Sequence, residues 1–289
     1  MITVQIVNGL MEGMMIYLVA SGLTLIFGVS GILNFAHGSF YMLGAFLTYV
    51  LVPYLFPDTL GGLLLSVFLA SLGVALLGTL FEMLILRRAY GADPLLQLIV
   101  TMALVLIIRD VVRLIWGRND LMVSMPSQLS GALQIGDVFF PVFQLVIFAV
   151  GLTIITTMIV VIHFTRAGIL LRAATDDRGM VALLGINQSL IFTGVFAAGS
   201  FLAGIAGGLT APFGSINYLL DTGVIVIAFI VVVIGGLGNL YGALAAALIL
   251  GVLKGVGVIF FPRLSMILIF LVMASVLIYR SFGRQDIGK

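Results

Sequence analysis

Long runs free of Asp, Glu, Lys and Arg alternate along this chain with short charged knots. A membrane helix needs about 20 apolar residues to cross. The run from Gly13 to Pro57 holds 45 such residues, enough for two spans with a break between them. Thr59 to Phe81 predicts one more. Pro94 to Ile108 is only 15 residues, so a span there extends to about Trp116 and carries Arg109, Asp110 and Arg113 near its end. Val138–Thr165 and Gly179–Leu220 each predict one, the second ending in Gly and Pro. The stretch from Thr222 past Lys254 to Phe261 reads as a Gly-broken pair, Gly223–Ile234 and Tyr241–Phe260. Leu264–Tyr279 closes the series, for eight or nine spans in all.

Composition supports that pattern. Hydrophobic residues make up 62% of 289 and charged residues 8%, where a soluble domain carries roughly 25%. Mean hydropathy is +1.33. So few charges cannot cover the outside of a water-soluble globule, which excludes soluble enzymes and disordered chains. The predicted fold class is all-α: a polytopic membrane protein of one transmembrane domain, 1–289. Its net charge of +2 is scattered, so nucleic acid is not an expected partner. There is no cysteine, and two histidines leave little scope for a transition-metal site. Glycine, at 35 residues, is in excess and suits closely packed membrane helices. The N-terminus has no Lys or Arg before its apolar run, so that run is expected to be retained.

Basic residues set the expected orientation. Arg87, Arg88, Arg166, Arg172, Arg178, Arg280, Arg284 and Lys289 fall on one side if eight spans alternate, and that side is the expected cytoplasm. The Gly117–Phe140 loop and the N-terminus then face out, unless a re-entrant segment near Asn34 reverses the latter. Asp110 and Arg113 can pair, Arg109 can snorkel at the outer interface, and Glu82 can pair with Arg87 and Arg88. Glu12 reads as flanking a span, Asp221 as a helix cap in an outward turn, and His163 as interfacial. Trp116, Tyr54, Tyr218 and Tyr279 sit where interface aromatics are expected.

Two Gly-rich breaks carry polar groups deep in apolar sequence: Gly28–Ser39, with Asn34 and His37, and Gly235–Gly242, with Asn239. Irregular backbone at membrane depth needs protein or water beside it. A helix starting near Phe35 would aim its amides at the break, where a solute carboxylate could use them. Asn34, His37, Ser39, Gly235, Gly236 and Asn239 are therefore candidate pathway residues. The competing reading has Asn34, His37 and Ser39 capping and packing a helix without meeting solute.

The densest charge lies in the 165–188 loop, TRAGILLRAATDDRGMVALLGINQ, where apolar residues recur at three and four. Thr175, Asp176 or Asp177 can cap a second helix there and Gly185 can end it. Its apolar stripe fits either a partner's groove or the chain's own bundle.

The run RAATDDRGMVALLGI, Arg172 to Ile186, resembles the coupling loop of bacterial ABC importer permeases, though it begins Arg-Ala-Ala where that pattern has Glu-Ala-Ala. GLTLIFGVSGILNFAHGSFYMLGAF (Gly22–Phe46), GGLGNLYGA (Gly235–Ala243) and FEMLILRRAYGADPLLQLIVT (Phe81–Thr101) resemble the branched-chain amino acid permeases, the last in particular the LivH-type half. The resemblance implies a transport subunit of the bacterial inner membrane, not an enzyme. It implies as partners a second homologous permease, two ABC ATPases and a periplasmic solute-binding protein. ATP and Mg would be used by the ATPases and no cofactor bound by this chain, which has no G-x-x-x-x-G-K-[ST]. Arg172, Ala173, Ala174, Asp176, Asp177, Met180, Leu183, Leu184 and Gly185 are then the coupling residues. Relatives within that family carry urea, short amides or other amino acids. Two other classes compete with this reading. An intramembrane serine protease would use Gly28-Val29-Ser30-Gly31 with His163. An ion-coupled carrier would be expected to bury Asp or Glu on its pathway, and none is expected at the middle of a span; an ATP-independent channel would have no use for the 165–188 loop.

Overall fold

The computed structural model describes residues 2–135, 138–176, 181, 183–260 and 265–285. In chain order the helices are α1 (Ile2–Ser30), α2 (His37–Leu51), α3 (Leu60–Leu84), α4 (Pro94–Trp116), α5 (Val142–Phe164), α6 (Arg166–Asp176), α7 (Gln188–Thr210), α8 (Leu220–Gly235), α9 (Leu240–Phe260) and α10 (Ser265–Gln285). Their ends follow local chemistry. Thr59 Oγ1 accepts the Gly62 amide to cap α3. Asp93 Oδ1 accepts from Leu95 N at 2.8 Å while Pro94 opens α4. Gly117, at φ 85°, ends that helix. Asn187 Oδ1 caps α7 through the Ser189 amide.

Among the described residues six helices, α1, α3, α4, α5, α7 and α9, are long and apolar enough to cross a membrane. That number does not confirm the eight or nine spans expected from the sequence; shorter apolar helices, Leu220–Gly235 and Ile269–Ile278, stand beside the six. Runs of uncharged residues mark apolar helices but not their length. The helices α2 and α8 have only 15 and 16 residues, because each abuts a Gly-rich break. The first span also starts earlier than the uncharged run: Glu12 lies inside α1, not beside it, and pairs with Lys254 of α9. Facing each other, two opposite charges permit a helix to continue through both.

The expected all-α chain also carries a small hairpin, β1 (Ala132–Ile135) with β2 (Val138–Pro141), pairing Leu133 with Phe140. It sits in the expected outward loop. The Gly-Asp between its strands is a two-residue hairpin signal in the sequence that the span count passed over. Leu121 and Ile216 exchange two backbone hydrogen bonds, 3.0 and 2.7 Å, tying this loop to the turn before α8.

The core runs along α1 and α2. The α1 span is 72% buried, against 17% for α4 and α5, so α1 is central and those two are peripheral. Its closest partner is α9, antiparallel. Glycines make the seam: a Cβ on Gly9 would lie 2.6 Å from the Val252 Cα, one on Gly13 2.8 Å from the Ala247 oxygen, and one on Gly255 2.7 Å from the Gln5 oxygen. Gly9 and Gly13, like Gly251 and Gly255, are four apart, so each helix presents a small-residue stripe to the other. A second seam joins α2 to α7, where Gly44 meets the Gly204 backbone and Gly207 meets the Tyr41 carbonyl. Phe40, Phe81 and Phe196 form an aromatic cluster between α2, α3 and α7, with centroids 6.0–6.5 Å apart.

Candidate functional site

The two Gly-rich breaks meet in space. α1 ends at Ser30, Gly31 turns the chain at φ 70°, and residues 31–36 lead to α2. Between α8 and α9 the chain turns at Gly236 (φ 99°) and Gly238 (φ 81°). A Cβ on Gly28 would sit 3.1 Å from the Gly238 Cα, so the second break rests directly on the end of α1. Asn239 Oδ1 accepts the Gly242 amide at 3.0 Å and starts α9. Gly235 packs on the Gly242–Ala243 backbone.

Below this junction is a cavity of about 290 Å³. Gly28, Val29, Thr24 and Tyr17 of α1 form one wall; Ile155, Met158, Ile159, Ile162 and His163 of α5 form another. Gly238, Asn239, Leu240 and Tyr241 come from the second break and Leu171, Arg172 and Thr175 from α6. Of the candidate pathway residues, Asn239 lines the cavity. Gly235 and Gly236 lie in the same break without lining it, the first buried and the second partly exposed.

Asn34, His37 and Ser39 sit elsewhere, fully buried at the start of α2. Asn34 Oδ1 accepts the Ala36 amide at 3.1 Å. His37 Nε2 donates to the Val19 carbonyl at 2.9 Å, since a carbonyl can only accept. Ser39 Oγ donates to Asp221 Oδ2 at 2.8 Å.

The segment 165–188 begins with α6, folded back onto the end of α5. Thr165 Oγ1 accepts the Gly168 amide and caps it. Arg172 Nη1 donates to the Ile162 carbonyl at 2.6 Å. Its apolar stripe divides. Ala174 is buried, and Leu171 packs against the Val29, Phe192 and Val195 cluster of α1 and α7. Leu183 and Leu184 are 84% and 69% exposed, just before Gly185 at φ 73°. Ala173 is partly exposed. Asp177 and Met180 lie outside the described residues, as does the side chain of Asp176.

The family model for the branched-chain amino acid transport system permease component matches residues 5–277. The chain belongs to this permease family. It is 30% identical to the high-affinity branched-chain amino acid transport system permease protein BraD of Pseudomonas aeruginosa, over 99% of this chain and 97% of the relative. It is also 30% identical to the corresponding LivH protein of Escherichia coli, over 86% and 83% of the two chains. A probable branched-chain amino acid transport permease protein LivH of Methanocaldococcus jannaschii is 27% identical over 84% and 78%. No solved structure matches.

Ion pairs among the described residues also tie the permease together away from the cavity. Arg109 of α4 reaches Asp221 with Nη2 at 2.9 Å and Nε at 3.0 Å from the carboxylate oxygens. Asp221 is therefore not a cap in an outward turn, and Arg109 does not simply snorkel. The carboxylate is buried in the first turn of α8 and bonded to the first turn of α2 through Ser39, so it faces two partly positive helix starts and a guanidinium. A lone acid with 42 uncharged residues before it, Gly179 to Leu220, was the signal that it must have a buried partner. Arg113 and Asp110 do pair, at 3.7 Å on the surface.

At the opposite end Arg87 pairs with the buried Glu82 at 3.1 Å. Tyr90 and Thr193 donate to the same carboxylate, joining α3 and the turn after it to α7. The hydrogen bond to Glu82 holds the Arg87 guanidinium pKa above its ordinary value. Because Tyr90 and Leu171 pack on one Phe192 cluster, the Arg87 and Arg172 clusters occupy the same end of the bundle. Ser30 is occupied locally: its Oγ donates to the Ile26 carbonyl at 2.8 Å and accepts the Ile32 amide at 3.2 Å. His163 bonds instead to Tyr241 at 2.8 Å, so no serine–histidine pair forms between them.

Proposed function

We propose that this chain is the transmembrane permease subunit of an ATP-driven ABC importer that moves branched-chain amino acids across the bacterial inner membrane. All of 1–289 acts as one permease domain. It works with a second homologous permease, two ABC ATPases that use ATP and Mg, and a periplasmic solute-binding protein. The observation that carries this reading is the likeness to BraD over nearly the whole of both chains.

The segment 165–188 is the docking point for an ATPase. One side of it is fastened to the bundle by Leu171, Ala174 and the Arg172–Ile162 bond, which would transmit a push. The other side offers Leu183 and Leu184 to a groove. Asp176, Asp177 and Met180, from the same run of sequence, belong to the coupling residues in this reading. The junction of the two Gly-rich breaks, with Gly235, Gly236 and Asn239, lies where solute leaves, and Asn34, His37 and Ser39 support it from the start of α2. In alternating access, closure of the ATPases moves the docking segments and the permeases open outward; reopening releases solute inward.

The test is co-purification. Leu183→Asp with Leu184→Asp should abolish recovery of the ATPases while membrane insertion of the chain stays normal. Normal ATPase recovery would refute the docking assignment. Solute flux through this chain alone in liposomes, with no ATPase, would refute the importer reading.

A further inference from the structure

We propose that the 290 Å³ cavity under the Gly28–Gly238 contact is a weak binding site for the carboxylate of an aliphatic solute, with the Tyr241 hydroxyl as its donor. This rests on the permease reading above and names the site that reading leaves open.

Hydrogen-bond polarity sets the chemistry. Arg172 Nη1 lies 3.5 Å from His163 Nδ1, and His163 Nε2 lies 2.8 Å from the Tyr241 hydroxyl. A guanidinium has donors and no acceptor, so Nδ1 must accept. The ring proton then sits on Nε2, which donates to the Tyr241 oxygen. The Tyr241 O–H is left with its proton to give, at the cavity wall. The relay therefore delivers a donor, backed by a fixed positive charge, into the space between α5, α1 and α9. Among the described residues no Asp or Glu lines the cavity to offset that charge or to hold an ammonium. Beside the polar Tyr17, Thr24, Thr175 and Asn239, the wall offers an aliphatic face from Ile155, Met158, Ile159 and Leu244. The volume is near the lower limit of ligand pockets, roughly 300 Å³, and admits one small molecule. One donor and a partly solvated cation bind weakly, which suits a solute that must leave. A bound carboxylate would also touch α6 through Arg172, placing solute and the docking segment on the same guanidinium.

The chain has no cysteine, so Met158→Cys puts a single thiol of this chain in the cavity. The complete transporter, in nanodiscs without the solute-binding protein, is treated with N-ethylmaleimide in the presence of leucine, isocaproate or isoamylamine. Leucine and isocaproate should slow alkylation and isoamylamine should not. Adding Tyr241→Phe should raise the half-protecting isocaproate concentration about fivefold, the worth of one hydrogen bond. Equal protection by the amine, protection by neither acid, or an unchanged half-protecting concentration in Tyr241→Phe would overturn the proposal. If Tyr241→Phe does not fold, the acid-against-amine comparison in Met158→Cys alone decides. Protection needs no ATP, so it is scored whether or not an ATPase docks; loss of ATPase recovery would strike the importer reading instead.

Discussion

Arg109 and Asp221 are paired but not equivalent, and the difference is measurable. The Asp221 side chain is 2% exposed and the Arg109 side chain 24%. In Arg109→Ala the carboxylate keeps Ser39 and Thr222 as neighbours but loses its counter-charge where water does not reach. Breaking a buried pair from that side costs about 3–5 kcal/mol. In Asp221→Ala the orphan is a long cation already partly in water, able to turn toward solvent and still able to donate to Thr222 at 2.6 Å. That orphan costs about 1–3 kcal/mol. Thermal unfolding in detergent, followed by fluorescence-detected size exclusion, reads both. At roughly 2–4 °C per kcal/mol, Arg109→Ala should fall by roughly 6–20 °C and Asp221→Ala by roughly 2–12 °C. The double variant Arg109→Leu, Asp221→Leu should recover much of the loss, because no charge is left buried. If Asp221→Ala proves the more damaging, or the double variant is worse than both singles, the assignment of the burden to the orphaned anion is wrong.

Other outcomes follow from the same structure. Gly207→Ala should destabilise the bundle by about 1–3 kcal/mol, because its Cβ would enter the Tyr41 carbonyl. Gly194→Ala in the same helix meets nothing within 4 Å and should stabilise by about 0.5–1 kcal/mol; a shared detergent melting assay separates the two. The Asp58 carboxylate is held below its ordinary value of 3.8, first by the Ser127 amide at 2.6 Å and then by its hydroxyl at 2.9 Å. A depressed pKa gives stability that is present above the unfolded value and lost as pH falls through the folded one. Melting of Asp58→Asn should therefore depend less on pH below 3.8 than wild type, and parallel curves would exclude this contribution.

Much of the fold was legible because apolar length is a one-dimensional property: each uncharged run holds a helix. Where a helix stops was less so, because a Gly such as Gly31 or Gly236 ends a helix without changing hydropathy. Charge pairing followed sequence distance. Glu82 and Arg87 are five apart and could be matched; Arg109 and Asp221 are 112 apart, Glu12 and Lys254 242 apart, and no local pattern joins them. The glycine excess predicted close helices but not that Gly9 and Gly13 face Gly251. At the candidate site, Asn239 was found from its break, whereas the Arg172–His163–Tyr241 relay joins three elements and exists only in three dimensions. The stripe of 165–188 could not be divided in advance, since Leu171 and Leu183 look alike until the bundle shows which one it covers.

The α1–α9 seam has a mechanical consequence. Backbones in direct contact through opposed glycines have no side chains between them to act as a bearing, so neither can roll or slide without prising the pair apart. Any swing during a transport cycle must carry both as one leaf, and the bending falls on the glycine-broken strip at 236–239 that joins it to α8.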